Sequence, residues 1–227
     1  MDILFDDNQI IVCIKPPGLL SVSDGREPSL AGALRTYLDE KGEKAVVGTV
    51  HRLDQCVGGV MVFGKNASAT ANLCRQVQEG TLRKVYTAAV QGQPDAPSGN
   101  FVDLLFKDSK KNKSYVVKRM RKGVREASLD YEVLSTAQRG ETTLSLVRIH
   151  LHTGRTHQIR VQFSSRKMPL LGDGKYGSKD NKCDTALWST ELLFSHPKTG
   201  EAVRFAAELP DDYPWNLFCR EKEDTAL

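Results

Sequence analysis

Two short segments of the chain carry the residue types best able to do chemistry. Residues 51–54 (HRLD) place the carboxylate of Asp54 two positions after the guanidinium of Arg52. Residues 153–160 (TGRTHQIR) bring two arginines, a histidine and a glutamine into eight residues. A protein core could not hold so many polar donors unpaired, whereas a ligand rich in phosphates and carbonyls would satisfy them. The two segments therefore point to RNA chemistry, with Asp54 as a nucleophile or base kept ionised by a cation.

The distribution of charge agrees with a polyanionic partner. Residues 107–125 contain nine lysines or arginines and a single acidic residue, whereas the net charge of the whole chain is only +4. The rest of the chain is therefore net acidic. A concentrated basic segment on such a body favours RNA binding at one face, although a merely solvated basic hairpin fits this segment equally well.

The overall composition excludes several classes of protein. A chain of 227 residues with 40% apolar and 26% charged residues is typical of one globular domain. No apolar run is long enough to span a membrane, and the acidic first residues are unlike a signal peptide. Five scattered cysteines without a Cys-x-x-Cys pair favour a reducing compartment over a disulfide framework or a thiolate zinc site. We therefore expect a cytoplasmic protein with no membrane partner.

Three histidines raise the alternative of a metal site. His150 and His152 would share one face of a strand, which is a known ligand spacing, and His157 follows shortly after them. We see no obvious carboxylate ligand nearby, and the surrounding arginines would repel a cation. Contact with phosphate or hydrogen bonding to the backbone is the better use of these side chains, so we expect no metal.

The hydrophobic patterns predict many strands and few helices. Strands are expected at 10–14, 59–64, 84–90, 101–105, 115–117, 128–134, 142–152, 191–195 and 202–206. Helices are expected at 30–38, 67–79, 156–163 and 211–220. Strands joined by hairpins, with few helices between them, indicate the α+β class with a largely antiparallel sheet.

At this point a family resemblance becomes clear. Residues 51–54 (HRLD), 83–86 (RKVY) and 154–161 (GRTHQIRV) resemble three motifs of the RluA family of pseudouridine synthases, and 14–20 (IKPPGLL) and 170–177 (LLGDGKYG) resemble two more. The match runs in order over nearly the whole chain. It implies a mixed, mostly antiparallel central sheet with flanking helices and a catalytic cleft. It also implies a single catalytic domain over residues 1–227, without the N-terminal RNA-binding domain of some relatives.

The resemblance implies an isomerase that converts specific uridines of structured RNA, ribosomal or transfer, to pseudouridine without cofactor or metal. Asp54 would act on the sugar of the target uridine, Tyr86 would stack on its base and help proton removal, and Arg160 would keep Asp54 ionised. Arg52 would fill the space left by the flipped nucleotide. Whether Asp54 adds to C1′ or removes the C2′ proton stays open. Further RNA contacts are expected from Lys15, His51, Leu53, Lys84, Arg155, His157 and Gln158.

The chain departs from the family pattern in two places. The usual Asp-x-x-Thr-Ser-Gly reads DQCVGG at residues 54–59, so two hydroxyls are missing and an altered loop contact is expected. The usual histidine after Arg-Val is Gln162. Two other functions remain as alternatives: a non-catalytic RNA-binding or chaperone protein that keeps the basic cleft, and a histidine-metal phosphoesterase acting on RNA. Nothing in the sequence requires more than a monomer.

Overall fold

The structure, a computed structural model, describes residues 2–44 and 46–218. Its strands are β1 (Asp2–Asp6), β2 (Ile10–Lys15), β3 (Gly48–Thr49), β4 (Gly58–Gly64), β5 (Arg83–Gln91), β6 (Ser98–Asp108), β7 (Lys113–Val117), β8 (Val124–Arg139), β9 (Thr142–Leu151), β10 (Leu187–Ser195) and β11 (Ala202–Ala206). Its helices are α1 (Leu30–Glu40), α2 (Ala67–Glu79) and α3 (Gln158–Ser165), with short 3-10 turns at Gly174–Tyr176 and Trp215–Phe218.

All of these strands belong to one sheet. The order is β1-β2-β4-β10-β5-β9-β8-β6-β7, with β3 paired to β4 and β11 paired to β10. Neighbouring strands run antiparallel except β4 and β10, which are parallel. The predicted α+β fold with a mixed, mostly antiparallel sheet is therefore confirmed. No helix within the described residues is long and apolar enough to cross a membrane.

Strand β4 lies between two parts of the core and explains its unbroken apolar sequence. Met61 and Phe63 face the larger core cluster, which also receives side chains from α1 and α3. Val60 and Val62 face the opposite side, where Leu73 of α2 packs against them. A strand buried on both faces cannot alternate apolar with polar residues. The helices therefore flank both faces of the sheet, as predicted.

Two glycines allow β4 and β10 to meet closely behind the loop that carries Asp54. Gly58 pairs with Trp188 and Gly59 with Ser189 in the parallel register. A Cβ on Gly58 would lie 2.1 Å from Cζ3 of Trp188. Gly59 has a φ of +116°, and a Cβ there would lie 2.3 Å from the carbonyl oxygen of Ser189. Only glycine fits both positions.

The structure also differs from the predicted elements: the two-residue strand β3 was not expected, and three further differences have a physical reason. Strand β1 was not expected: it is five residues long, begins and ends with aspartate, and lies at the edge of the sheet. Helix α3 begins at Gln158 and not at Thr156, because His157 takes a left-handed φ of +53°. The helix predicted over 211–220 was wrong within the described residues, where only a 3-10 turn forms; Pro214 removes an N–H that a longer helix would need. Residues 219 and 220 lie outside the described range.

Candidate active site

Asp54 lies in the loop between β3 and β4, and the backbone on both sides of it is fixed. Ser21 donates its hydroxyl to the carbonyl of Leu53 (2.8 Å) and accepts the Leu53 N–H (3.0 Å). The N–H of Val57 donates to the Asp54 carbonyl at 3.0 Å. The Asp54 side chain remains 28% exposed and lines a cleft of about 1060 Å³. The loop therefore presents a partly desolvated carboxylate at the wall of an open cleft.

A buried arginine holds this carboxylate from the other wall. Nη1 of Arg160, in α3, donates to Oδ2 of Asp54 at 2.9 Å. Its Nε and Nη2 donate to the two carboxylate oxygens of Asp173 at 2.7 and 2.8 Å. Both Arg160 and Asp173 are buried. Although burial alone would lower the pKa of Arg160, the bonds to Asp173 and the nearby anions raise it above its usual value, so the guanidinium stays charged.

His157 lies beside the same ion pair. Its Nδ1 is 3.0 Å from the hydroxyl of Tyr176, and its Nε2 is 3.8 Å from Oδ2 of Asp54. Burial lowers the pKa of His157, and the negative charge of Asp54 offsets only part of that effect. The imidazole is therefore mainly neutral at neutral pH, and Arg160 is the principal cation facing Asp54.

Tyr86 forms part of the cleft floor. It lies in β5, between Ile149 of β9 and Ser189 of β10. Only 5% of the residue is exposed, and burial together with the charge of Asp54 raises its pKa. Its side chain is therefore a protonated phenol at the floor of the cleft, close enough to Asp54 for the carboxylate charge to affect its pKa.

The rim of the cleft is basic. Arg52 and Arg155 are exposed, and Arg155 also donates from Nε to the carbonyl of Glu126 at 2.9 Å. Lys84 is half-buried, and burial lowers its pKa. Lys107, Asn112 and Lys175 also line the cleft; the sequence analysis had named them only as members of the basic segment and of the motif at residues 170–177. The lysines and arginines of the rim suit a phosphate-bearing ligand.

Two predicted RNA contacts have polar atoms that are used inside the protein, and for Lys15 this makes the prediction wrong. Lys15 is fully buried, and its Nζ donates to the carbonyls of Pro16, Leu19 and Gln55. Gln158 is also buried: its Oε1 accepts from the Thr153 hydroxyl and the Arg155 N–H, and its Nε2 donates to the Ser128 carbonyl. All three donors of Lys15 are therefore used, whereas Gln158 lines the cleft and one of its two amide N–H donors has no partner among the described residues, so its contact with RNA stays a prediction.

Two other predicted RNA contacts line the cleft but are largely buried. Nε2 of His51 accepts the N–H of Val62 at 3.2 Å, and burial lowers the pKa of His51 to about 3. The side chain of Leu53 packs in the larger core cluster. These residues therefore shape the loop that carries Asp54 and present little surface to a ligand.

His152, directly after the end of β9, is paired with a carboxylate. Nε2 of His152 lies 2.7 Å from Oδ2 of Asp130, on the neighbouring strand β8, and both side chains are half exposed. Within residues 2–44 and 46–218 there is no group of three or more His, Cys, Asp or Glu side chains suited to hold a metal ion.

Comparison with known proteins identifies the family. The sequence profile described as RNA pseudouridylate synthase matches residues 9–165. The chain is 34% identical over 216 residues to the uncharacterized RNA pseudouridine synthase YhcT of Bacillus subtilis (strain 168), covering 93% of this chain and 70% of that protein. This chain belongs to the RNA pseudouridylate synthase family. The predicted family and the predicted enzyme class, an isomerase acting on RNA, are thereby confirmed.

Other relatives extend the family assignment. The ribosomal large subunit pseudouridine synthase D of Neisseria meningitidis serogroup B is 32% identical, over 93% of this chain and 59% of that protein. Among solved structures, human RNA pseudouridylate synthase domain containing 1 superposes with a TM-score of 0.77 at 21% identity, covering 92% of this chain and 83% of that one. Human RNA pseudouridylate synthase domain containing 4 gives 0.75 at 22%, covering 92% and 88%. The two human structures share the fold of this pseudouridylate synthase family member.

The departures from the family motif have local explanations. Val57, in place of the usual threonine, is buried in the core. Gly58, in place of the usual serine, lies against the ring of Trp188, which occupies the space that a larger side chain would need. Gln162 points away from the cleft, and its Nε2 donates to Asp103 at 2.7 Å. Val57 also lines the cleft, whereas the altered contacts of Gly58 and Gln162 lie behind the loop and behind α3.

Proposed function

We propose that this protein converts uridines of structured RNA to pseudouridine and that Asp54 is its catalytic carboxylate. The observation that carries the proposal is the arrangement of Asp54 itself: a part-exposed carboxylate in a basic cleft, bound through one oxygen to the buried guanidinium of Arg160. A fixed cation keeps such an acid ionised, and the open cleft admits a nucleotide.

The reaction is an isomerisation that needs no added reactant. The C1′–N1 bond breaks and a C1′–C5 bond forms, C5 loses its proton and N1 gains one, so atoms and electrons balance without a redox partner. Asp54 either adds to C1′ or removes the C2′ proton. Both routes require the anion that Arg160 stabilises, and both require the base to leave the stack so that the sugar can reach the carboxylate.

Tyr86 and Arg52 have roles that follow from their positions in the cleft. Tyr86 lies at the floor as a protonated phenol, and we propose that it contacts the extruded uracil and assists removal of the C5 proton. Arg52 is exposed two residues before Asp54, where its planar guanidinium can fill the gap that the extruded base leaves. Lys84, Arg155 and His157 supply the remaining polar contacts to the RNA.

We propose structured ribosomal RNA of the large subunit as the first substrate to test, with transfer RNA as the second. Support comes from the Neisseria meningitidis relative, a ribosomal large subunit pseudouridine synthase that is 32% identical to this chain. Mapping pseudouridines in total RNA from cells with and without the gene would identify the target, since the site that disappears is the substrate position.

A tritium-release assay tests the catalytic role. RNA carrying tritium at C5 of uridine should lose label to water with the wild-type protein, and EDTA should not prevent it. Asp54→Asn keeps the shape of the side chain but removes its charge, so release should stop. Asp130→Asn, an exposed carboxylate on β8 outside the cleft, is the matched control and should release label normally. Wild-type release by Asp54→Asn would refute the proposal and favour an RNA-binding role alone.

A further inference from the structure

The motif at residues 170–177 (LLGDGKYG) has no role in the reaction as proposed above, yet the structure connects it directly to the site. Asp173 is only 1% exposed, and its two carboxylate oxygens accept hydrogen bonds from Nε and Nη2 of Arg160. The same guanidinium reaches Asp54 through Nη1 alone. One arginine therefore bridges a buried carboxylate and a part-exposed one.

The guanidinium is fixed from three directions. Asp173 holds one edge in a bidentate pair, Asp54 holds one nitrogen, and the ring of Tyr176 lies with its centroid 5.2 Å from the central carbon of Arg160. Such bidentate pairs impose geometry as well as attraction. The orientation of Arg160 toward the cleft is therefore set mainly by Asp173.

Asp173 is itself held by the backbone. Its carbonyl accepts the N–H groups of Tyr176 (3.1 Å) and Ser178 (3.0 Å). The preceding Gly172 has a φ of +72°, and a Cβ there would lie 2.2 Å from the carbonyl oxygen of Asp184. The loop before Asp173 thus packs against a neighbouring segment so closely that only glycine fits.

The division of the guanidinium between two carboxylates has a consequence for Asp54. Oδ2 of Asp54 accepts from Arg160, while no side chain or backbone group of the described part of the chain donates to Oδ1. Without Asp173, the buried guanidinium would have Asp54 as its principal counter-ion and would turn to engage both of its oxygens. In that arrangement both oxygens of Asp54 would accept hydrogen bonds from the guanidinium, and neither would face the sugar unpaired.

We propose that Asp173 is a positioning residue that restrains Arg160 so that Arg160 binds only one oxygen of Asp54 and leaves the other free for the nucleoside. This inference rests on the proposed catalytic role of Asp54. Asp173 touches neither the cleft nor the reacting atoms, and it acts through Arg160.

Replacement of Asp173 by Asn tests the inference. Asp173→Asn keeps the size of the side chain but removes the second acceptor, so kcat for tritium release should fall about 10- to 100-fold, as expected when a catalytic group is misplaced. KM should stay at its wild-type value, because the cleft surface is unchanged. Asp180→Asn is the matched control: Asp180 is an equally buried carboxylate paired with Arg139 outside the cleft, and its loss should leave kcat unchanged.

A double-mutant cycle separates positioning from general damage. Arg160→Lys keeps the positive charge but lacks the planar group that can bridge two carboxylates. Adding Asp173→Asn to Arg160→Lys should therefore cause no further loss of kcat, whereas independent effects would add. If Asp173→Asn does not fold, Arg160→Ala and Arg160→Ala/Asp173→Asn replace it: the double variant buries no unpaired charge, and in the single variant added guanidinium ion can pair with Asp173. Guanidinium ion should restore turnover only to the variant that keeps Asp173.

The outcomes distinguish this inference from the function it rests on. Wild-type kcat for Asp173→Asn, additive losses in the cycle, or equal response of both alanine variants to guanidinium would refute the positioning role while leaving Asp54 catalytic. Wild-type release by Asp54→Asn would refute the proposed function instead.

Discussion

At the scale of single residues, the contact with Trp188 explains why position 58 is a glycine. The two residues are opposite each other in the parallel register of β4 and β10, and the indole ring covers the glycine. The family motif has serine at this position, so the serine and the tryptophan ring compete for one space. A residue that departs from its motif is thus explained by a partner 130 positions away in the chain.

We predict that Gly58→Ser destabilises the protein. The serine Cβ would overlap the ring of Trp188, and the strain of fitting extra atoms into a packed core costs about 1–3 kcal/mol in the free energy of unfolding. Urea denaturation measures the loss. Gly174→Ser is the control, because a Cβ at Gly174 meets no atom within 4 Å. Equal stability of the two variants would contradict the proposed contact.

His51 makes a second prediction at this scale, on acid stability. Burial lowers its pKa to about 3 from an ordinary value of 6.5, with a smaller effect from the nearby Lys84 charge. Between these two pH values the unfolded chain binds a proton that the folded protein does not. The free energy of unfolding should therefore fall as pH drops below 6.5, by up to about 1.4 kcal/mol per pH unit from this group.

Comparison of His51→Gln with the wild type isolates that contribution. Glutamine retains an acceptor for the N–H of Val62 but does not titrate. Urea denaturation at pH 7, 6 and 5 should give a shallower decline for the variant than for the wild type. Parallel declines in the two proteins would show that His51 takes up its proton equally well in the folded state.

At the scale of elements, the basic hairpin (residues 107–125) divides into two parts. Lys110 and Lys111 are exposed at the turn between β6 and β7. Lys113, by contrast, is partly buried, donates from Nζ to the carbonyl of Lys175, and lies over the ring of Tyr176. The turn is therefore free to contact RNA, whereas Lys113 fastens the hairpin to the loop beside the active site.

We predict that Lys110→Ala/Lys111→Ala weakens RNA binding and reduces its salt dependence. Each lost phosphate contact on single-stranded RNA should lower the slope of log K against log salt by about 0.7. Filter binding over a range of salt concentrations measures the slope. Lys44→Ala/Lys198→Ala removes two exposed lysines outside the cleft and is the charge-matched control. An unchanged slope in the first variant would mean that the turn is only a solvated surface.

The elements also show what a sequence can and cannot predict. The buried strand β4 and the helix α2, with its left-handed Gly80 cap, follow from local pattern and were confirmed. The predicted role of Lys15 was wrong, because polarity in a sequence does not reveal whether a nearby loop leaves carbonyls that need a donor. The hydrogen bonds between Asp173 and Arg160 were missed for a similar reason. The motif that contains Asp173 was recognised in the sequence, but its contact with Arg160 depends on how the loop after α3 folds back.

At the scale of the whole molecule, the cleft joins parts of the chain that are far apart in sequence. Asp54 precedes β4, Tyr86 lies on β5, and Arg160 belongs to α3, 106 positions after Asp54. The motif resemblance could place these residues at one site. The distances between them and their burial depend on how the strands and α3 pack in the folded protein. An RNA that fills the cleft therefore contacts elements from both halves of the sheet at once.

We predict that RNA stabilises the entire fold and that Asp54→Asn does not alter this effect. A ligand that binds only the folded state at 100 times its Kd adds about 2.7 kcal/mol to the free energy of unfolding. Because the binding contacts proposed here come from the basic rim and not from Asp54, the variant should gain as much as the wild type when each is denatured in urea with and without substrate RNA. If RNA raised the free energy of unfolding of the wild type only, Asp54 would be an RNA-binding residue. Its charge would then act on the bound substrate before any reaction takes place.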